Sequence, residues 1–251
     1  MTFVVASRRA SAARLRQTYA GAQLIDVTSK GEDPWVRFSP FYPHGSIPVP
    51  LSEGYEAMSV EGIWQALKVF DHADVDLTKM HISSMTGLKR SARSFGQVLG
   101  HRAGIQGKTL LDYHTARQRI YLPAYRWVLD HRLGDLIVQL RHLDEESSVV
   151  LLDYETNADI DDLTRPLSHA SLIVRYLTGT WPPPHSVKQR GERGALRLCA
   201  GGRGAGLYAG GGNAVHSEQD LRGVPSQKTT LRAVCPILCR NSTRRGASQT
   251  C

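Results

Sequence analysis

Three polar residues at helical spacing are the part of this chain best suited to chemistry. Glu61, Gln65 and Lys68 stand at i, i+4 and i+7 after Ser59, a possible N-cap, so one short helix would present them on a single face. A carboxylate, an amide and an ammonium group on one face can bind a polar ligand, and a carboxylate beside a cation is expected to stay ionised at neutral pH. A solvated surface helix with a weak Glu–Lys pair has the same spacing.

An aromatic loop precedes this helix and favours the first interpretation. Residues 38–45 are rich in aromatic, proline and glycine residues and include Phe41 and Tyr42. Such a loop beside a polar helical face is typical of a pocket with flat walls and a few polar groups. Trp64 lies on the apolar stripe of the same helix, so it fits either a core position or a pocket wall.

An acidic segment, residues 153–162, is a second candidate for chemistry. Its side chains alternate as in a calcium loop, but Ala158 stands where the turn requires Gly, and Thr164 stands where a bidentate Glu should close the cage. Three interpretations stay open: a looser divalent site, an acidic turn that caps the next helix, and a loop that directs Asp161 or Asp162 into a pocket. Because the calcium loop fails at two positions, a metal centre is not the favoured interpretation, and the sequence predicts no cofactor.

The elements that must position these residues follow from hydrophobic periodicity. Helices are predicted over 10–19, 59–70, 87–99, 109–121, 123–131, 135–142 and 166–177, strands over 3–6, 23–28 and 149–153, and an extended segment over 35–38. These elements predict an α+β, mainly α-helical single domain over residues 1–182.

Residues 183–251 differ in composition from everything before them. Residues 1–182 carry 20 Lys and Arg against 20 Asp and Glu, whereas the tail carries 11 against 3 and therefore the whole net charge of +8. The tail is rich in Gly and Arg and shows no sustained periodicity, which predicts disorder. A basic tail without a role, a non-native C-terminus from an unselected reading frame, and a nucleic-acid-binding arm all fit this composition.

Cysteine usage and hydropathy bear on the compartment. All four cysteines lie in the tail, so residues 1–182 fit the reducing cytoplasm. No run approaches 18 apolar residues, so no membrane span is expected. Common nucleophile, zinc-protease and phosphate-loop motifs are absent from the sequence.

Taken in order, several segments resemble the NADAR family of YbiA-like N-glycosidases. The resemblance rests on Phe38-Ser-Pro-Phe-Tyr-Pro43 and on Ser59-x-Glu-x-x-x-Gln-x-x-Lys-x-Phe70, and two later segments, 88–96 and 166–175, are similar to further family helices. It covers about residues 35–178. Pro40 replaces an Asn of the family pattern and Gly62 replaces a His.

The resemblance implies a hydrolase that cleaves a C–N bond to ribose in a nucleotide-like or ADP-ribosyl substrate. By analogy with glycoside hydrolysis, Glu61 would stabilise an oxocarbenium-like transition state, while Asp161 or Asp162 would position water. The substrate contacts that the resemblance implies are Phe41, Tyr42 and Trp64 for the base, Lys68, Lys89 and Arg93 for phosphate, and Gln65, Asn157, Ser168 and His169 as further polar contacts.

Two other functions fit the same residues. The pocket would bind ADP-ribose or a nucleotide without cleaving it if it lacked a well-placed carboxylate. Alternatively, the protein would remove ADP-ribose from nucleic acid with the help of its basic tail.

Overall fold

A computed structural model of the chain describes residues 3–183. The strands are β1 (Phe3–Ser7), β2 (Gln23–Asp26), β3 (Ile47–Pro48), β4 (Glu56–Ala57), β5 (Lys68–Phe70), β6 (Val98–Arg102), β7 (Leu110–Leu111) and β8 (Val149–Asp153). The α-helices are α1 (Ala12–Thr18), α2 (Val60–Leu67), α3 (Ala92–Phe95), α4 (Tyr113–Ala116), α5 (Leu122–Arg132), α6 (Gly134–Glu146) and α7 (His169–Leu177). Two 3₁₀ helices (Trp35–Phe38 and Leu77–His81) and a π-helix (Arg117–Tyr121) complete the set. The α+β class is confirmed.

The principal sheet is parallel, with strand order β1-β8-β2. All five residues of the central strand β8 are buried, as its continuous apolar run predicts for a parallel sheet. The carboxyl ends of the three strands lie at one edge of the sheet because the strands are parallel. The segments that follow Ser7, Asp26 and Asp153 therefore meet at that edge.

A second sheet, antiparallel and ordered β5-β6-β7, takes residues that periodicity assigns to helices. The predicted helix over 87–99 is wrong, because only α3 is helical and it ends at Gly96, which has a φ of 84°. Glycine ends a helix with a positive φ at little cost because it has no Cβ. The chain then enters β6, where pairing with β5 prevails over helical periodicity.

The helix that carries Glu61 is shorter than predicted. It ends at Leu67 because Lys68 is extended and pairs with His101 as part of β5. Lys68 therefore does not share a helical face with Glu61 and Gln65. All eight residues of α2 are buried, which excludes the solvated surface helix.

Two further predictions of element type are wrong. Residues 35–38, expected to be extended, form a 3₁₀ helix that follows Pro34. Residues 109–121, expected to be one helix, are divided into β7, α4 and the π-helix, because Leu110 and Leu111 pair with β6.

The C-terminal helices and the chain end agree better with the sequence. Helices α5, α6 and α7 cover the helices predicted there, although α7 begins at His169 behind the N-cap Ser168 and not at 166. Among residues 3–183 no helix combines the length and hydropathy that a membrane span needs. The predicted basic tail, residues 183–251, lies outside the described residues beyond Pro183.

Candidate functional site

A cavity of about 380 Å³ lies at the carboxyl edge of the parallel sheet. This volume falls within the range of small-molecule sites. The segments after β1, β2 and β8, the aromatic loop, α2 and the π-helix all reach it. Its walls include Arg9, Thr28, Phe41, Glu61, Trp64, Lys89, Tyr113, Arg117, Tyr121, Asp153, Glu155 and His169.

Glu61 is the carboxyl group that α2 places in this cavity. The residue is 9% exposed, and its backbone N–H donates to the carbonyl of Pro40 at 2.9 Å. Its Oε1 accepts a hydrogen bond of 2.8 Å from Gln65 Nε2, whereas its Oε2 accepts none within residues 3–183. One carboxyl oxygen is therefore held by the protein and the other is left for a ligand.

Gln65 orients Glu61 and does not line the cavity. Its Oε1 accepts the backbone N–H of Arg90 at 3.1 Å, so its amide nitrogen must face Glu61. The Arg90 guanidinium is itself buried and donates to the carbonyls of Gln65, Lys68 and Asp74. These hydrogen bonds hold the Gln65 amide in place and thereby fix the orientation of the Glu61 carboxyl group toward a ligand in the cavity.

Burial controls the charge of Glu61. Removal from water raises the pKa of the carboxyl group above its ordinary value, although the Gln65 hydrogen bond and the charges of Lys68 and Lys89 act in the opposite direction. The pKa of Glu61 is therefore raised, whereas a neighbouring cation alone would lower it. A carboxyl group with a raised pKa accepts and releases a proton closer to neutral pH, as a general acid or base requires.

The aromatic wall is built differently from the sequence prediction. The Trp64 ring centroid lies 3.8 Å from that of His101 and 5.8 Å from those of both Tyr113 and Tyr121. Because these rings surround it and only 9% of Trp64 is exposed, the indole lines the cavity with a small part of its surface. Phe41 is half-buried and lines the cavity.

The expected partner of Phe41 in this wall faces elsewhere. Tyr42 packs against His44 and does not reach the cavity. Phe41 is therefore the aromatic side chain of the 38–45 loop that a flat ligand would meet first.

His101 packs against Trp64 from the core side. It is 1% exposed, and neither ring nitrogen has a hydrogen-bond partner within the described residues. Burial, with a smaller contribution from the Lys68 charge, lowers its pKa to about 3. The ring is therefore neutral at physiological pH.

His169 and Asp153 form a buried ion pair in the cavity wall. Asp153 Oδ2 lies 2.9 Å from His169 Nδ1 and also accepts hydrogen bonds from Ser168 Oγ and the Ala170 N–H, while its Oδ1 accepts the Tyr154 N–H. His169 Nε2 lies 2.8 Å from the carbonyl oxygen of Val27. Both ring nitrogens face acceptors, so the doubly protonated imidazolium satisfies both contacts.

The electrostatics agree with this assignment. Burial acts against both charges, but the mutual attraction and hydrogen bonding of the pair outweigh it. They hold the pKa of His169 above and that of Asp153 below their ordinary values. Since the polar atoms of both side chains are already bonded, the pair is an anchor that joins β8 to α7.

The predicted phosphate ligands are not all at the cavity. Lys89 lines it, with Nζ 5.4 Å from the Phe41 ring centroid and no ion pair within residues 3–183. Lys68 is half-buried in β5, and Arg93 is exposed on α3, and neither lines the cavity. The structure thus brings one of the three predicted cations to the site.

The predicted acidic ligands lie in the loop between β8 and α7 and also face away from the cavity. Asp161 contacts His114 Nε2 at 2.7 Å, and Asp162 accepts hydrogen bonds from Thr164 and Arg165. Asn157 is buried and bonds backbone atoms of the same loop. These contacts are those of an acidic turn, one of the three interpretations of this segment. The residue that caps α7, however, is Ser168 and not a carboxylate.

The metal interpretation of this segment gains no support. Within residues 3–183 no three His, Cys, Asp or Glu side chains are grouped closely enough to hold a metal ion.

Several residues of the cavity were missed by sequence reasoning. Asp153 was considered only as the first residue of the acidic segment, although it also ends a continuous apolar run, and the carboxyl end of a buried parallel strand is a usual place for functional groups. Tyr113, Arg117 and Tyr121 reach the cavity through α4 and the π-helix, and no sequence pattern indicates such a helix.

The chain was compared with known proteins. The sequence model of a protein family described as "Family of unknown function (DUF6939)" matches residues 7–173. No curated protein and no solved structure matches. The matched segment begins in β1, ends in α7 and includes every residue of the cavity wall named above. The chain belongs to this family of unknown function, DUF6939.

Proposed function

We propose that this protein is a hydrolase of the N-glycosidase type, similar to the NADAR family, that cleaves the C–N bond between ribose and a base in a nucleotide-like or ADP-ribosyl substrate. One observation carries the proposal: Glu61 places a buried carboxyl group with a raised pKa in a cavity of nucleoside size. Within residues 3–183, only one of its two oxygen atoms accepts a hydrogen bond. The cavity also offers an aromatic surface, Phe41, and a cation, Lys89, that forms no ion pair with the residues the structure describes.

The chemistry assigned to Glu61 needs no cofactor. As the C–N bond breaks, its electron pair leaves with the base and positive charge develops on the ribose, where the ionised carboxylate stabilises it. Water attacks the anomeric carbon, Glu61 accepts the proton of that water, and the proton passes to the base nitrogen. The water is consumed, and the products are free base and free sugar.

The remaining walls would hold the two ends of the substrate. Phe41 offers a surface for the flat base, and Lys89 at the exposed mouth would bind a phosphate or diphosphate group. Gln65 acts through Glu61 as a positioning residue. We place this activity in the cytoplasm, with a small-molecule nucleotide or an ADP-ribosylated macromolecule as partner.

The test is direct product analysis. The full chain is incubated with a panel of N-ribosides, their 5′-phosphates and ADP-ribosyl compounds, and free base and sugar are measured by mass spectrometry. We expect stoichiometric release of base and sugar from at least one phosphorylated substrate, and release about a hundredfold slower or less with Glu61→Gln. Release that continues unchanged in this variant would exclude the assigned chemistry.

A binding module without activity is the second candidate, and one observation favours it. Asp153, a second carboxylate of the cavity, is fully bonded, so Glu61 has no free carboxylate partner there from β8. Nucleotide binding to the wild-type protein without release of base would support this candidate.

A further inference from the structure

Tyr121 carries a hydroxyl group that the fold itself does not use. The residue ends the π-helix and lines the cavity. Its phenol oxygen makes no hydrogen bond within residues 3–183, and it is not sealed from the cavity as the ring nitrogens of His101 are. A polar atom in this position is available to a ligand.

Two neighbouring tyrosines, Tyr125 and Tyr113, do form hydrogen bonds through their hydroxyl groups. Tyr125, four residues further along, is fully buried and donates its hydroxyl hydrogen to the carbonyl oxygen of Phe38 at 2.8 Å. Tyr113 accepts a hydrogen bond of 3.3 Å from Arg117 Nη2. The rings of Tyr121 and Tyr125 are stacked, with centroids 6.1 Å apart, so the two phenols differ mainly in what their oxygens meet.

The surroundings of Tyr121 define what its hydroxyl can do. Burial, reinforced by the negative charges of Glu61 and Asp153, raises the pKa of the phenol well above 10. The hydroxyl therefore keeps its hydrogen and acts as a neutral donor rather than as a transferable acid. A neutral donor suits an uncharged acceptor, such as a ring nitrogen or carbonyl oxygen.

The position of Tyr121 relative to Lys89 and Glu61 indicates that the acceptor atom belongs to the base of the substrate. Lys89 is exposed at the mouth, whereas Glu61 is buried and its charge acts on the Tyr121 phenol. A substrate with its phosphate at Lys89 and its glycosidic bond at Glu61 has its base as the group left to meet Tyr121.

We infer that Tyr121 donates a hydrogen bond to an acceptor atom of the base and thereby distinguishes ligands that carry a base from those that do not. The inference rests on the proposed function for the placement of the substrate. Tyr121 lies outside the segments that resemble the NADAR family, so the inference adds a specificity-determining residue to those that the resemblance implies.

The test compares two phenols and two kinds of ligand. Binding of the four common nucleoside 5′-monophosphates and of ribose 5-phosphate, which lacks a base, is measured by calorimetry for the full chain, Tyr121→Phe and Tyr125→Phe. Tyr121→Phe should weaken binding of the nucleotide that binds best by roughly three- to tenfold, the effect of one hydrogen bond, and leave ribose 5-phosphate unchanged. Tyr125→Phe should leave both affinities unchanged and lower the melting temperature.

The outcomes separate this inference from the proposed function. Base release that is unaffected by Tyr121→Phe, together with unchanged nucleotide binding, would overturn the role of Tyr121 and leave the activity intact. Nucleotide binding that depends on Tyr121, without any base release, would support the inference and remove the hydrolase. Equal weakening of nucleotide and ribose 5-phosphate, or a wild-type protein that binds no nucleotide, would also overturn it.

Discussion

At the scale of single residues, the site depends on which oxygen atoms the protein leaves unbonded. Asp153 is fully bonded, whereas within residues 3–183 Oε2 of Glu61 and the hydroxyl of Tyr121 have no hydrogen-bond partner. A ligand can bond such atoms without breaking a hydrogen bond within the protein. The two free groups lie in one cavity, which is why both proposals concern the same ligand.

Glu61→Gln should separate binding from turnover. Glutamine keeps the size and the acceptor for Gln65 but cannot stabilise positive charge, so we expect ligand affinity to survive and turnover to fall about a hundredfold or more. Calorimetry and base release on the same preparations measure the two quantities. Normal binding with wild-type turnover would remove Glu61 from the mechanism.

The same variant should change the dependence of stability on pH. The folded-state pKa of Glu61 lies above the ordinary 4.5, so its proton stabilises the fold fully below pH 4.5 and this contribution is lost as the pH rises through the folded-state pKa. Since glutamine never ionises, Glu61→Gln should be more stable than wild type at pH 7, with the difference shrinking towards pH 4. Denaturant unfolding at both pH values measures it. A difference that is independent of pH would contradict the raised pKa.

Lys89 and Arg93 form a matched pair of cations for the anionic end of the ligand. Lys89 lines the cavity and Arg93 does not. Lys89→Ala should therefore weaken binding of a nucleoside 5′-monophosphate about tenfold or more and spare the unphosphorylated nucleoside, while Arg93→Ala should change neither. Titrations with both ligands test this. Equal losses for the two ligands in Lys89→Ala would assign it a role in the fold.

At the scale of elements, the loop between β8 and α7 shows how the cavity keeps its shape. The Arg117 guanidinium, 2% exposed, donates to the carbonyl oxygens of Ile160, Asp162 and Arg165. The loop is thus held by one buried side chain from the π-helix, in addition to its own turns. Pro166 and Leu167 at its end line the cavity.

Arg117→Met should release this loop. The carbonyl of Ile160 would lose its donor, and those of Asp162 and Arg165 would keep only Asn157 Nδ2, so we expect lower stability and faster amide hydrogen exchange over residues 157–166. His114→Gln, which alters the exposed contact with Asp161 on the same loop, is the control and should have a small effect. Equal exchange rates in Arg117→Met and wild type would mean that the turns alone hold the loop.

The sequence predicts these elements unevenly, for physical reasons. The apolar run of β8 and the stripe of α7 survive because burial supports their local periodicity. Residues 87–99 and 109–121 change type because strand pairing among β5, β6 and β7 is a long-range interaction that periodicity does not contain. Of the predicted site residues, Glu61 reaches the cavity from a helix whose start at the N-cap Ser59 was correctly predicted although its end was not, whereas Arg93 lies in a predicted helix of which only Ala92–Phe95 is helical.

At the scale of the whole molecule, the C-terminal end of the described chain is attached to the fold by an aromatic contact. Trp181 lies edge-on to Tyr176, with ring centroids 6.3 Å apart, and Arg126 lies 5.5 Å from its ring centroid. Among residues 3–183 the buried hydrophobic residues run from Ala6 to Leu177. In this part of the chain, Trp181 therefore adds an aromatic contact beyond the last core residue.

Removal of residues 184–251 should leave the melting temperature within a few degrees of that of the full chain. Trp181→Ala in the shortened chain should lower it by a few degrees, since a half-buried indole and its cation contact contribute about 1–2 kcal/mol. Calorimetric melts of the three proteins check this. A shortened chain that fails to fold would show that the domain needs residues beyond 183.

The π-helix has a consequence for how related chains can differ. A π turn holds one more residue than the α-helical turn it replaces, so deletion of a single residue within 117–121 would restore regular helix. Every side chain on the N-terminal side of the deletion would then rotate by about 100° relative to α5. Arg117 and Tyr121 would no longer face the cavity together. An insertion or deletion of one codon here would thus change which side chains face the cavity in a protein of this family, with no substitution in the cavity wall.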